Sequence, residues 1–313
     1  MTRLGDEQER KWLHPETKVA VDSFLREVAR APRSVLMLDY DGTLAPFRKY
    51  RKDAFPYPGI AQILQKIVEA RRTRVVIVSG RDAREVIPLL GIAPQPELWG
   101  LHGSQRLKND GSIEVSPVDA STTEALAEAD DWLRGQDMQD IAEFKTGSIA
   151  VHWRGMSETE ARTVQEKVLP GWSAIATQSG LNLLPFDGGV EIRPHSPNKG
   201  DAVRTVLSEV NPDTPVAYLG DDTTDEDAFR ALNHHAVTAE SLSDSSSKNR
   251  YLTVLVRPRR RQSKAQLWLQ PPEEVLALLE QWLQALQAQE ASNNEIADRE
   301  RSGGSDRSLG VNV

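Results

Sequence analysis

The stretch SVLMLDYDGTLAPF, Ser34–Phe47, decides the fold. Val35–Leu38 is an unbroken apolar run, the kind buried on both faces of a parallel sheet. It leads directly into Asp39, Tyr40, Asp41, Gly42 and Thr43. Side chains two apart on a strand share a side, so continuing this geometry aims two like charges, Asp39 and Asp41, at one place. In open parallel sheets ligands bind beyond the carboxyl ends of the strands.

Four more short apolar runs read as strands: Arg74–Val78, Leu98–Leu101, Pro215–Leu219 and Tyr251–Val256. Helical patterns lie between them. Ile60, Ile63, Leu64 and Ile67 repeat at helical spacing, as do Val203, Val206 and Leu207. Residues 84–90 form a shorter helix, and residues 271–288 open on Pro-Pro and two glutamates, as a helix N-terminus prefers. Strands alternating with helices point to an α/β, Rossmann-like core, a parallel sheet with helices on both faces. From Ser104 to Pro194 the pattern changes. SIAVHWR alternates and NLLPF does so loosely, which suggests an antiparallel sheet covered on one face. Two helices fall there, one over residues 122–133 and one opening at Ser157, whose Glu160 completes a capping box. The expected domains are an N-terminal extension (1–30), a core (31–103), an inserted α+β domain (104–194), the resumed core (195–288) and a disordered polar tail (289–313).

The chain of 313 residues has 39% hydrophobic and 27% charged residues, enough for a sizeable core. A net charge of -8 argues against nucleic-acid or anionic-membrane partners, and a monomer is expected. Without cysteine there are no disulfides, thiolate metal sites or cysteine nucleophiles. A reducing compartment follows naturally. The polar start MTRLGDEQERKWLHPETK is no signal peptide, and no apolar run would span a bilayer, so a cytoplasmic protein is expected. The basic run RPRRRQSK, Arg257–Lys264, reads as a solvated loop.

Four strand ends carry chemistry: Asp39–Thr43, then Ser79, Gly80 and Arg81, then His102 and Gly103, then GDDTTD from Gly220 to Asp225. On a parallel sheet all four share one edge. Such carboxylates repel one another unless a hard cation sits among them, and an all-oxygen set suits Mg²⁺. Taken singly, an Asp-Gly pair after a strand is also a common turn, and GDDTTDED would serve as an acidic helix N-terminus. Both at strand ends in one chain are harder to dismiss: Asp-x-Asp-Gly-Thr-Leu arises by chance with a probability on the order of 10⁻³ or below. An EF-hand fits poorly, since Gly42 directly follows the second aspartate and a strand precedes it.

DYDGTL, SGR, Lys199 and GDD resemble the four signature segments of the haloacid dehalogenase-like (HAD) phosphotransferases. GLHG, FKTGSIAVHWR, GVEIRP followed by NKG, and YLGDDTTDEDAF further resemble the trehalose-6-phosphate phosphatases, over roughly Ser34 to Gln284. The resemblance implies that Asp39 is a nucleophile forming an aspartyl-phosphate and that Asp41 protonates the leaving oxygen and then activates water. Thr43, Ser79, Gly80 and Lys199 would hold the phosphoryl group. Mg²⁺ would be held by Asp39, Asp221 and the backbone carbonyl of Asp41, with Asp222 and Asp225 nearby as ligands or supports. The insert would be a cap closing over the site, with Lys145, His152, Arg154, Glu191 and Arg193 as substrate contacts. Asn198 would touch phosphate or sugar, and His102 would line the hinge side.

Each also has an ordinary reading. Lys145 and Arg154 would be solvated on a strand face, and His152 and His102 would be packing residues. Trp99 and Trp153 are read as core. The implied substrate is trehalose 6-phosphate. The alternatives are another sugar phosphate, such as sucrose phosphate or a phosphorylated glycosyl-glycerate, a non-catalytic phosphosugar-binding module, or a phosphomutase. No glycosyltransferase segment is evident, so a trehalose-6-phosphate synthase would be a separate chain.

Overall fold

The computed structural model describes residues 15–48, 50–186, 188–242 and 249–303. Its main sheet runs β12-β11-β10-β1-β2-β3-β4-β5. The strands are β1 (Ser34–Asp39), β2 (Thr73–Val78), β3 (Glu97–Gly100), β4 (Gln105–Leu107), β5 (Ile113–Val115), β10 (Val216–Gly220), β11 (Tyr251–Val256) and β12 (Leu267–Leu269). Pairing is parallel from β12 to β3 and antiparallel from β3 through β5. The chain leaves β1 towards β2 and returns from β10 towards β11, so the order reverses between β1 and β10. That crevice is where doubly wound sheets bind ligands.

Alternation along β1 sorts its side chains to two cores. Leu36 and Leu38 pack with α1 (Pro15–Arg30), α2 (Ile60–Glu69), α3 (Ala83–Leu90) and α8 (Glu273–Gly303). Val35 and Met37 face the other way, onto α6 (Lys199–Ser208) and α7 (Glu226–Leu242). The expected helices on both faces are therefore present. Asp39 continues the parity of Val35 and Met37 and falls on the α6 side.

A second sheet, β6-β7-β9-β8, is antiparallel throughout. It comprises β6 (Ala142–Lys145), β7 (Ser148–His152), β8 (Asn182–Phe186) and β9 (Gly189–Arg193). Ile149, Val151, Val190 and Ile192 pack on α4 (Ala120–Gly135) and α5 (Glu158–Ser179). The alternation does not leave the other face to solvent. Ser148, Ala150, Glu191 and Arg193 are buried as well, so this sheet is covered on both sides.

Three expected boundaries move. The insert does not start at residue 104, because β4 and β5 hydrogen-bond onto β3 and extend the main sheet to Val115. The N-terminal segment is not a mere extension. In α1, Val21, Phe24, Leu25 and Val28 are core residues, and the Phe24 ring lies 5.4 Å from that of Trp282 on α8. Residues 289–303 are helical, since α8 runs on to Gly303, and a polar sequence rich in Ala, Glu and Arg readily extends a docked helix. Residues 1–14 and 304–313 lie outside the described residues. Among the described residues no helix is long and apolar enough to cross a membrane.

If α1 belongs to the core, Phe24→Ala opens a cavity against Trp282 and lowers unfolding free energy by about 3–5 kcal/mol in urea titration. A loss below about 1 kcal/mol would return α1 to the status of an extension.

Candidate active site

At the carboxyl end of β1 the chain turns sharply. Gly42 makes this possible: its φ is +83°, and a Cβ there would stand 2.3 Å from Oδ2 of Asp221. The turn therefore presses its backbone onto the Asp221 carboxylate. Asp39 is 3% exposed. Thr43 Oγ1 donates to its Oδ2 at 3.1 Å, and Lys199 Nζ donates to its Oδ1 at 2.7 Å. Burial pushes the Asp39 carboxyl up to about 7, against the pull of Lys199 and with help from Asp225.

Lys199 is the first residue of α6, where a cation opposes the helix dipole. Two anions hold it there. Its Nζ also donates to Asp225 Oδ1 at 2.7 Å. Burial works against the charge, but Asp225 and Asp39 outweigh it and push Lys199 well above its ordinary value. Asp225 itself is fully buried and spent on hydrogen bonds. Tyr218 donates at 2.7 Å, and the N–H groups of Asp221 and Asp222 donate to Oδ2 at 3.1 and 3.0 Å. The acidic run after β10 thus serves in part as the acidic helix start foreseen for it. Asp222 and Asp225 form a capping box, while Asp221, 3% exposed, faces the crevice. Burial, then Asp39 and Asp225, drive the Asp221 carboxyl well above the usual carboxylate range.

Carboxylate oxygens of Asp39, Asp221 and Asp225 lie within 4.8 Å of one another. A buried all-oxygen set of this kind suits a small hard dication. The carboxylates of Asp41 and Asp222 are outside that group. Asp222 lines the cavity, and its Oδ1 caps the turn that follows, accepting from Thr223 N at 2.7 Å. Both oxygens of Asp41 are taken by the fork of Arg81, at 2.5 and 2.6 Å.

A cavity of about 350 Å³ opens above these groups. Asp39, Asp41, Gly80, His102, Lys199 and Asp221 form its floor, and the second sheet forms its roof. Period-two spacing and strand register put Glu143, Lys145, His152, Leu184 and Glu191 on that roof. Glu191 is 2% exposed and accepts from Ser148 Oγ at 2.7 Å and Lys145 Nζ at 3.1 Å. Burial pushes its carboxyl up, but His102, Lys145 and Arg193 overcome this and hold it well below the usual range. Burial drives His102 down to about 4. Its ring meets Glu191 through Nε2 at 3.0 Å, and Nδ1 has no partner among the described residues. His102 therefore joins the two sheets.

Not every expected contact reaches the cavity. Asn198 caps α6, accepting from Gly200 N and Asp201 N, so helix capping replaces substrate contact. Arg193 turns to the hinge and donates to Pro197 O at 3.1 Å. Ser79 is 1% exposed, and its hydroxyl accepts from Arg81 N at 3.2 Å, inside the turn beneath the cavity. Arg154 lines the cavity and stacks over Phe47 at 4.2 Å. Several cavity residues lay outside the expected contacts, Glu143, Phe47, Arg48 and Arg51 among them. Glu143 bonds His152 Nε2 at 2.9 Å and also pairs with Arg51. His152, Lys145 and Arg51 hold its carboxyl down to about 2 against burial. Its signal was available, since it sits two residues before Lys145 on one strand. Phe47, Arg51 and Arg81 sit on turns with no period to read. The basic run is not simply solvated: Arg257 donates to Asp221 O at 3.2 Å, and Arg261 pairs with Glu226.

A family model described as trehalose-phosphatase matches residues 37–267. A bifunctional trehalose-6-phosphate synthase/phosphatase of Thermoproteus tenax is 31% identical over 236 residues, 75% of this chain and 32% of the relative. A trehalose-phosphate phosphatase of Mycobacterium marinum is 30% identical, over 66% of this chain and 53% of the relative. The chain thus spans about a third of the length of the first relative and about half of the second. Among solved structures, the C-terminal domain of the Candida albicans trehalose-6-phosphate phosphatase superposes with a TM-score of 0.74 at 22% identity, covering 84% of this chain and 96% of that one. A Bacteroides thetaiotaomicron phosphatase of the haloalkanoate (HAD) enzyme superfamily does so at 0.54 and 14%, covering 80% and 95%. These likenesses establish the HAD fold.

Removing Asp225 leaves Lys199, the buried N–H of Asp221 and the part-buried N–H of Asp222 short of a partner. Asp225→Ala is expected to cost about 3 kcal/mol of stability in urea titration, as breaking a buried pair does. A cost under about 1 kcal/mol would show that Asp225 does not hold the site together.

Proposed function

This chain belongs to the trehalose-phosphatase family, and from that premise we propose that it hydrolyses trehalose 6-phosphate to trehalose and inorganic phosphate. The observation that carries the reading is Asp39, buried at the floor of a polar-roofed cavity with Lys199 at one oxygen and Thr43 at the other. Asp39 attacks phosphorus as the bond from phosphorus to the sugar oxygen breaks, and a proton passes from Asp41 to that oxygen. A water then gives its proton to Asp41 and attacks the aspartyl-phosphate, freeing Asp39 and phosphate. One water is consumed per turnover. An aspartate is a competent covalent nucleophile for phosphoryl groups. Transfer spreads negative charge over the equatorial oxygens, so positioning and cationic stabilisation supply most of the catalysis. Lys199 provides one cation.

Asp39, Asp221 and the carbonyl of Asp41 would hold Mg²⁺, which supplies a second positive charge to the phosphoryl oxygens. On the roof, Lys145, His152, Arg154, Glu143 and Glu191 offer the donors and acceptors that a disaccharide needs. A buried polar site of this kind rejects sugars that leave its groups unpaired. A trehalose-6-phosphate synthase is the natural source of substrate, and in the Thermoproteus tenax relative both names stand on one chain. The lack of cysteine suits a cytoplasmic setting.

Phosphate release from trehalose 6-phosphate is expected to stop in EDTA and return with Mg²⁺. Asp39→Asn is expected to lower kcat by roughly a thousandfold or more. Turnover of trehalose 6-phosphate no faster than of glucose 6-phosphate would remove the disaccharide reading. Near-normal turnover by Asp39→Asn would remove the covalent route.

A further inference from the structure

Arg81 is an unusual neighbour for a proton donor. Its side chain is 4% exposed, so its placement is fixed rather than sampled. Nε and Nη2 grip the two oxygens of Asp41 at 2.6 and 2.5 Å. Nη1 donates to the backbone carbonyl of Arg51 at 2.7 Å. The guanidinium also stands over the Tyr40 ring, 5.6 Å from its centroid. Arg51 lies in the turn Arg51–Asp53, and its own side chain reaches Glu143 on the roof. An unbroken chain of contacts thus runs from the roof sheet through the Arg51 turn and Arg81 to Asp41.

We propose that Arg81 is a positioning residue that fixes the plane of the Asp41 carboxyl for proton transfer, with its fork set by the turn that grips the cap. This rests on Asp41 acting as the proton donor. A fork takes one lone pair on each oxygen, and a carboxyl group has about two on each, so the proton can still sit on the other. Lysine cannot replace the fork, because it is a point donor without planar geometry.

The test compares kcat/KM for trehalose 6-phosphate with that for 4-nitrophenyl phosphate, whose phenolate leaves without a proton. Arg81→Lys, which keeps the buried charge, is measured alone and with Asp41→Asn. General acid catalysis is worth about 10²–10⁴-fold, so Arg81→Lys is expected to lower the sugar-phosphate value by roughly a hundredfold. The aryl phosphate should lose less than about threefold, and in the Asp41→Asn background the sugar phosphate should lose no more than that. Equal losses on the two esters, or a full further loss in the double variant, would overturn the inference. Either pattern leaves the parent reading intact, because that reading is judged separately: it fails if Asp41→Asn alone retains wild-type turnover of trehalose 6-phosphate.

Discussion

The Lys199 ammonium is the interaction on which the site depends. It lies 2.7 Å from Asp39 and 2.7 Å from Asp225, buried, at the start of a helix whose dipole opposes it. A cation there is tolerable only because two carboxylates face it, and the two carboxylates are tolerable only because it is there. The consequences spread outward. Asp225 must be tucked under β10, and Gly220 permits this, since a Cβ would stand 2.3 Å from Asp225 Cγ. Asp225 then fixes the Asp221 loop, and the Asp221 carboxylate is approached by Gly42. One ion network thereby ties the ends of β1 and β10 to the start of α6.

The second sheet uses its pleat twice. One face is an ordinary apolar core against α4 and α5. The other carries charged groups that would be costly to bury without partners. They are paired among themselves and with the core: Glu191 with Lys145, Ser148 and His102, and Glu143 with His152 and Arg51. Thr223 adds a hydrogen bond to Pro185 O at 3.1 Å. A roof wired to the floor in this way can exclude water from the reacting groups when it is shut.

Much of this was legible beforehand, and what was legible has a reason. Val35–Leu38 is a continuous apolar run and Tyr251–Val256 is broken only by Thr253, so both read as buried parallel strands. Asp39 and Asp221 come together because they stand at the ends of neighbouring strands on one edge, while Lys199 reaches them from the start of α6 and was expected there from the family's pattern. Roof residues such as Lys145 and Glu191 followed from the family's pattern, and alternation puts them on one face. Other features depended on information no local pattern carries. β4 and β5 are three residues each, too short to show a period, so the insert was started early. Asn198 and Asp222 are cap-forming residue types beside reactive ones, and type alone does not tell a cap from a ligand. Arg81 was quoted within SGR, but its partner lies forty residues away on another turn, and only the folded chain brings Asp41 to it.

The central claim is that Asp39 carries the phosphoryl group between the two half-reactions. The protein would be mixed with trehalose 6-phosphate labelled at phosphorus, quenched in acid within the first turnover, digested, and its labelled peptide identified. The account predicts label on the peptide containing Asp39, released by hydroxylamine as an acyl phosphate would be. Label on another residue, or none on the protein while labelled phosphate is produced, would contradict it.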